Sequence, residues 1–395
     1  VLFTFPQIMY ANSQVTGLEG LLPVIVFAIA WSDVSLAALA YRGNVKAAVT
    51  ARAIVEPWTI SIAAWALYYV SPRDGLIIAY VLSMAAALIA SLIPFIRSYG
   101  LPHGWSPHVT PLLQLARRNV PLAGADAIEW GTRNIDRFIL GLLFPPAIVG
   151  IYYMAQQVAS IPQKLKTSFD PVLGPGIARN LAAGNRAAIA HQVKQVAFWV
   201  MTLQAALLLM GGIPAEGVMG VVGPQFVAGA GALCFLLAAE VLAAPGAIAE
   251  AGLVYMARHR NLMVSMLLLG FQAALSFALV FIMRDLGWDV NYQAAGPAVA
   301  LAITLALGST IKCWMLARLT KASVFNLRPG FVAAVAAAAL VGWGFTSLPH
   351  HLEWVELSIG IPAIFAVYFA VVAKWAFGEE DPKLFKKLPK QDAAT

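Results

Sequence analysis

One stretch of this chain carries charge where its surroundings are almost wholly apolar. The segment PLAGADAIEWGTRNIDRFILGLLF, residues 121–144, holds Asp126, Glu129, Arg133, Asp136 and Arg137. At about 100° per residue these side chains fall within one arc of roughly 100° on a helix. Ile128, Ile135, Phe138, Ile139 and Leu142 take the opposite side. An ionisable group deep in a membrane costs about 2.5–3.5 kcal/mol on insertion scales, so such a stripe is a functional site by default. Two readings are open. The stripe lines a wet cavity, or it is a ladder of ion pairs fastening helices, with Glu129 and Arg133 at i,i+4 and Arg133 within reach of Asp136. The number of charges exceeds what one helix contact needs, and Arg137 lacks an i,i+4 acid, which favours the cavity.

Other ionisable residues fall within apolar runs. Glu240 and Glu250 flank Pro245, and a kinked helix bearing an acid suits ion coupling. Glu250 is open to a second reading, as a solvated group near the cytoplasmic end of its span. Asp33 lies deep in an apolar run and joins Glu240 and Glu250 as an ion-coupling candidate. Lys312 lies near a span end, where its long stem can snorkel to the surface. Glu56, beside Pro57, reads as an interfacial residue. His103, His108, His350 and His351 fall in loops without the spacing of a metal site. Cys234 and Cys313 sit in apolar runs, where packing is their expected role. No Gly-rich loop followed by Lys-Ser/Thr is present, nor any nucleophile–base pair. The expectation is a protein that is not an enzyme and uses no cofactor, metal or nucleic acid.

The elements that position these residues follow from composition. Hydrophobic residues make up 60% of the 395, and only 11% are Asp, Glu, Lys or Arg, against about 25% in a soluble domain. Mean hydropathy is +0.76. Apolar runs of about 20 residues, each long enough to cross a membrane as a helix, recur along the chain. The short alternating segments of a β-barrel are missing. The expected fold is therefore an all-α polytopic membrane protein of about 11 transmembrane helices, in two helical bundles plus a C-terminal helix pair. The spans are read near 18–41, 53–70, 75–96, 121–143, 147–169, 194–213, 226–252, 261–283, 294–317, 330–348 and 355–377.

Lys and Arg mark the cytoplasmic side. Of the 26 present, Arg133, Arg137 and Lys312 lie within spans and only Arg73 and Arg284 fall on the far side. All the others collect on one face. The expected organisation is a remainder of a first bundle (1–96), a cytoplasmic linker helix (97–120), a second six-helix bundle (121–317), an extra helix pair (330–377) and a charged cytoplasmic tail (378–395). Residues 1–17 read as the end of a span. The chain opens on Val1 with no basic segment before a short apolar one, so no signal peptide is read and the true N-terminus is expected to lie upstream.

The segment DRFILGLLFPPAIVGIYYMAQQVASIPQKLKTSFDPVLGPGIAR, residues 136–179, carries a further pattern. It comprises Asp136-Arg137, Leu140-Gly141, Val149-Gly150-x-Tyr152, Ala155, a Pro-rich exit at Pro162, Pro171 and Pro175, and Arg179. This resembles the polysaccharide-biosynthesis flippases, the O-antigen type of the MATE-like (MOP) superfamily. The resemblance implies two six-helix bundles with an optional extra pair, and a fourteen-span member lacking its first three spans. It also implies transport of a polyprenyl-diphosphate-linked oligosaccharide across the inner (cytoplasmic) membrane for lipopolysaccharide or surface-polysaccharide synthesis. A polysaccharide polymerase and glycosyltransferases would be the partners. Under it, Arg133, Arg137 and Lys312 would pair with diphosphate oxygens. Asp126, Glu129 and Asp136 would hold the arginines or meet sugar hydroxyls, while the bundles rock to expose the site alternately. Two rivals are an ion-coupled small-molecule antiporter, which would want a more acidic cavity, and a membrane polymerase or ligase, which would want a sizeable outside loop.

Overall fold

The computed structural model describes residues 18–42, 44–71, 74–100, 109–167, 170–347 and 353–378. Residues 1–17, the histidines at 103, 108, 350 and 351, and the tail beyond 378 lie outside the described residues. The chain divides into two compact units, Val1–Arg118 and Asn119–Thr395.

In the first unit a 3-10 turn, Leu18–Leu21, leads into α1 (Leu22–Tyr41). Helix α2 (Val45–Val49) is capped by Asn44, whose side chain accepts the Ala47 N–H at 3.3 Å, as a polar N-cap should. A π-helical turn, Thr50–Val55, joins it to α3 (Glu56–Tyr68), and α4 (Gly75–Tyr99) follows. Leu36, Leu39, Ala47 and Ala51 form the core, with Ala90 and Phe95 packed against them. The Tyr99 hydroxyl donates to the Ala38 carbonyl at 2.8 Å, and the Arg42 guanidinium covers the Tyr99 ring at 4.2 Å. These contacts fasten the ends of α1 and α4 to each other.

Helix α5 (Val109–Leu143) runs for 35 residues. The sequence suggests a linker helix ending near 120 and a new span opening at Pro121. The structure instead joins them in one helix, with Pro121 inside it. Proline removes a single backbone hydrogen bond. Breaking the helix would orphan several, which is the worse outcome in an apolar surrounding.

The second unit continues with α6 (Pro146–Thr167), α7 (Asp170–Ala182), α8 (Arg186–Gly212) and α9 (Ala215–Val222). A 3-10 turn, Pro224–Gly229, precedes α10 (Ala230–Met256), followed by α11 (Arg258–Asp285), α12 (Val290–Thr320) and α13 (Pro329–Thr346). Last come the short α14 (Glu353–Val355), a π-helical turn at Glu356–Gly360, and α15 (Ile361–Trp375). One core joins α5, α6, α9, α10 and α12 through Leu140, Tyr152, Met219, Leu233, Leu237 and Ala298. Another joins α7, α8, α10, α12, α13 and α15. The C-terminal pair is built into this second core, and the Tyr368 hydroxyl of α15 donates to the Thr202 carbonyl of α8 at 2.8 Å.

Small residues set how closely α10 and α12 approach. The buried faces are rich in alanine and glycine, including Ala239, Ala244, Gly246, Ala249 and Gly252 on α10 and Ala295, Ala298 and Gly308 on α12. Interfaces of this kind let helix backbones come together where no hydrophobic force drives them. Gly246 is a point of close approach. Its N–H donates to the Ser309 hydroxyl at 2.8 Å, and a Cβ added there would lie 2.4 Å from the Ser309 Cα.

This is an all-α multi-pass membrane protein. Among the described residues, eight helices are long and apolar enough to cross a membrane: α1, α4, α8, α10 with its preceding turn, α11, α12, α13 and the Glu356–Trp375 stretch. The other three expected spans are helical where predicted. α3 has only 13 residues, while α5 bears the charged stripe and α6 is interrupted by glutamines. Exposed side chains such as Phe27, Trp58, Trp65, Leu267 and Trp343 are those of a surface that faces lipid.

The closeness of α10 and α12 is testable. Gly246→Ala should lower the thermal midpoint of the purified protein in detergent, at a cost of about 1–3 kcal/mol for overpacking. Gly344→Ala, whose added Cβ meets nothing within 4 Å, should leave it unchanged or raise it.

Candidate functional site

Helix α5 holds the charged stripe, and its neighbours treat Asp136 differently from Arg133 and Arg137. Asp136 is fully buried. Its Oδ2 accepts the Tyr152 hydroxyl of α6 at 2.6 Å, and its Oδ1 accepts the Arg137 N–H at 2.8 Å. Both oxygens are thereby satisfied, as a buried carboxyl requires. Arg137 is half-buried, its guanidinium lies 5.2 Å from the centre of the Tyr153 ring, and its Nε is buried with no hydrogen-bond partner. Arg133 is held loosely: its nearest guanidinium nitrogen is 4.0 Å from Oε1 of Glu240 on α10, and its side chain keeps 39% of its exposure.

Glu240 is buried on α10, and the Gln163 amide of α6 donates to its Oε1 at 2.7 Å. Two further amides clasp the backbone of α5. Gln156 of α6 donates to the Arg133 carbonyl at 3.0 Å, and Gln272 of α11 donates to the Thr132 carbonyl at 3.1 Å. Next to Gln163, the Pro162 carbonyl accepts from Gln204 of α8 at 3.1 Å. Polar side chains thus tie together helices that have only lipid-like surfaces otherwise.

A second grouping lies about 15 Å further along α10, at 1.5 Å per residue. Lys312 of α12 and Glu250 of α10 form an ion pair at 2.9 Å, and the Asn261 amide of α11 donates to the other oxygen of Glu250 at 2.8 Å. Lys312 is turned inward, with 13% of its side chain exposed, rather than stretched toward the surface. A third grouping belongs to the first unit. Arg52, within the π-helical turn, bonds Asp33 of α1 and pairs with Glu56 one turn on at 2.9 Å.

The structure therefore joins Arg133 to Glu240 and Lys312 to Glu250, each a substrate candidate with an ion-coupling candidate. Asp33 belongs to a separate grouping. The side chains of Asp126 and Glu129 lie outside the described residues. Sequence reading missed Tyr152, Gln163, Asn261 and Arg52. Tyr152 had a signal, since it closes the Val-Gly-x-Tyr pattern. The amides had none, because a glutamine in a helix announces no partner.

A family model described as polysaccharide biosynthesis protein matches residues 7–213, just over half of the chain. No curated protein matches it. The matched region includes the stripe on α5 and its partners on α6, and stops short of Glu240, Glu250 and Lys312. Within it, Leu140, Tyr152 and Ala155 are all buried. The pattern seen in the sequence is thus mostly packing, with the Asp136–Tyr152 bond as its polar centre. Pro171 and Pro175 fall among the side chains outside the described set.

Removing the donor from that bond tests its weight. Tyr152→Phe leaves Asp136 short of one partner and should cost about 1–3 kcal/mol of stability, read as a lower thermal midpoint in detergent. Asp136→Asn in the same chain should recover part of the loss, because the double variant no longer strands a carboxyl.

Proposed function

We propose that this chain, which belongs to the polysaccharide biosynthesis protein family, is a flippase for polyprenyl-diphosphate-linked oligosaccharide in the cytoplasmic membrane. It moves the lipid-linked sugar by exposing one site alternately to the two sides, and it catalyses no reaction. The observation that carries this reading is the asymmetry on α5. The carboxyl of Asp136 is consumed by Tyr152 and the Arg137 N–H, while the Arg137 guanidinium retains an unpartnered Nε and Arg133 has only a distant partner. With Asp136 tied down and Arg133 part-exposed beside a distant partner, this part of α5 suits an anion. Arginine suits phosphoryl oxygens because its planar fork binds them bidentately.

Within the site, Arg137 supplies the first contact to the diphosphate and Arg133 the second. The two are i,i+4 neighbours, about 5–6 Å apart at Cβ, a span that adjacent phosphoryl groups can bridge. The polyprenyl tail stays in lipid. Lys312 and Glu250 are paired with each other and hold α10 to α12. The polymerase and glycosyltransferases of the same synthesis would be the partners on either side of the transport step.

Complementation tests the reading. In a host lacking its own O-antigen-type flippase, the wild-type chain should restore surface polysaccharide. Arg137→Ala and Arg133→Ala at matched expression should each reduce it at least about tenfold, the loss of one charge-assisted contact of about 1.5–3 kcal/mol. Rescue by the wild type that survives both changes would make the stripe structural and remove the basis for this assignment.

A further inference from the structure

An amide buried between helices favours the fold only when its polar atoms are paired. Gln272 of α11 departs from that rule. Its side chain is fully buried and its Nε2 donates to the Thr132 carbonyl of α5 at 3.1 Å, yet its Oε1 has no hydrogen-bond partner among the described residues. Thr132 lies inside a continuous helix, where a carbonyl already accepts the N–H four residues on. The bond from Gln272 is therefore not one that α5 requires, and an apolar side chain at 272 would strand nothing. Stability does not account for this glutamine. Its helix nonetheless fits closely, because Gly131 leaves room for Leu269 of α11, whose Cδ2 would lie 3.2 Å from an added Cβ. On the next residue of α5, Gln156 of α6 donates to the Arg133 carbonyl at 3.0 Å, and its Oε1 is likewise buried and unpartnered among the described residues.

We infer that Gln272, together with Gln156, is a positioning residue that acts through the backbone of α5 to hold Arg133 in place beside Arg137 for two adjacent phosphoryl groups. This inference rests on the flippase reading above. Helix α5 is held at two levels. The turn of Arg137 is fixed to α6 by the Asp136–Tyr152 bond and by the Tyr153 ring, 5.2 Å from the guanidinium. The turn of Arg133 is fixed by the two amides, which come from different helices and grip successive carbonyls about 100° apart around the axis. Release of the second level leaves the first as a pivot. Arg133 lies one turn from it, about 6 Å along the axis, so a swing of about 20° carries Arg133 through about 2 Å. Hydrogen bonds tolerate only a few tenths of an ångström, whereas the attraction between two charges changes little over that shift. A ligand with one phosphoryl group can settle on either arginine and does not sense the swing. A diphosphate anchored at both arginines does. Local rules of satisfied polar burial are commonly broken at functional sites, where placement matters more than stability.

The experiment measures binding of farnesyl diphosphate and farnesyl monophosphate to the purified full chain in phosphatidylcholine nanodiscs, alongside the thermal midpoint. Gln272→Met keeps the shape of the side chain and removes the amide. It should bind the diphosphate about tenfold more weakly, the loss of one well-placed contact, while its monophosphate affinity changes less than about twofold. Its thermal midpoint should be unchanged or higher, because the unpartnered oxygen has gone. Gln156→Met should shift the preference between the probes the same way. In an Arg133→Gln background, Gln272→Met should have no further effect on that preference. Gln204 of α8 supplies the control. It too is buried, donates to the Pro162 carbonyl of α6 at 3.1 Å and has an Oε1 unpartnered among the described residues. Gln204→Met should leave the preference at its wild-type value. The inference is overturned if Gln272→Met keeps the wild-type preference, if it weakens both probes equally with a lowered midpoint, or if Gln204→Met shifts the preference as far. A wild type that binds neither probe, or both alike, would overturn the flippase reading of the site itself.

Discussion

A polar group that leaves water must find its partner inside the protein, and in a membrane no solvent stands ready to repair a mismatch. Asp136 is where this constraint is tightest. It sits in a long helix among apolar neighbours with no exposure at all, and it is held by one hydroxyl from α6 and one N–H of its own turn. That bond fixes how α5 faces α6. From there the amides of Gln156, Gln163 and Gln272 reach the backbone of α5 or the carboxyl of Glu240. These polar ties fix helix register and rotation to a degree that apolar contacts alone would not.

Packing in the second unit works within the same limit. Lipid chains solvate leucine as well as another helix does, so association depends on close fit. Helices α10 and α12 achieve it with alanine and glycine, and Gly246 meets Ser309 in a tight contact. Because α10 is held so tightly, it can carry two acids to two different neighbours. Glu240 reaches α5 and α6, while Glu250 meets α11 and α12. Pro245 lies between them within a continuous helix.

Function follows from which charges these constraints consume. An acid turned inward and hydrogen-bonded, as Asp136 is, is lost to a ligand, whereas the Arg133 guanidinium keeps part of its exposure. Counting charges on α5 would have given a mixed stripe suited to nothing in particular. Following the partners of Asp136, Arg133 and Arg137 is what supports the proposed anion-binding reading. The family match over residues 7–213 sets the chain within polysaccharide biosynthesis.

The sequence by itself determined the class. Composition, apolar runs and one-sided Lys and Arg specify a helical multi-pass protein, because the bilayer imposes one length and one polarity on every span. The helical period likewise put the α5 charges on one face. Residue spacing also carried the Asp136–Tyr152 relation, although only as a pattern. What the tertiary structure alone decided was pairing. Arg133 could equally have met Asp136 on its own helix, and Lys312 could have reached the surface. Nothing local in the chain prefers Glu240 for the first or Glu250 for the second. Those choices arise from how α5, α6, α10 and α12 are rotated against each other. That rotation is set by small-residue fit and buried amides contributed from distant parts of the chain, which leave no periodic trace in the sequence.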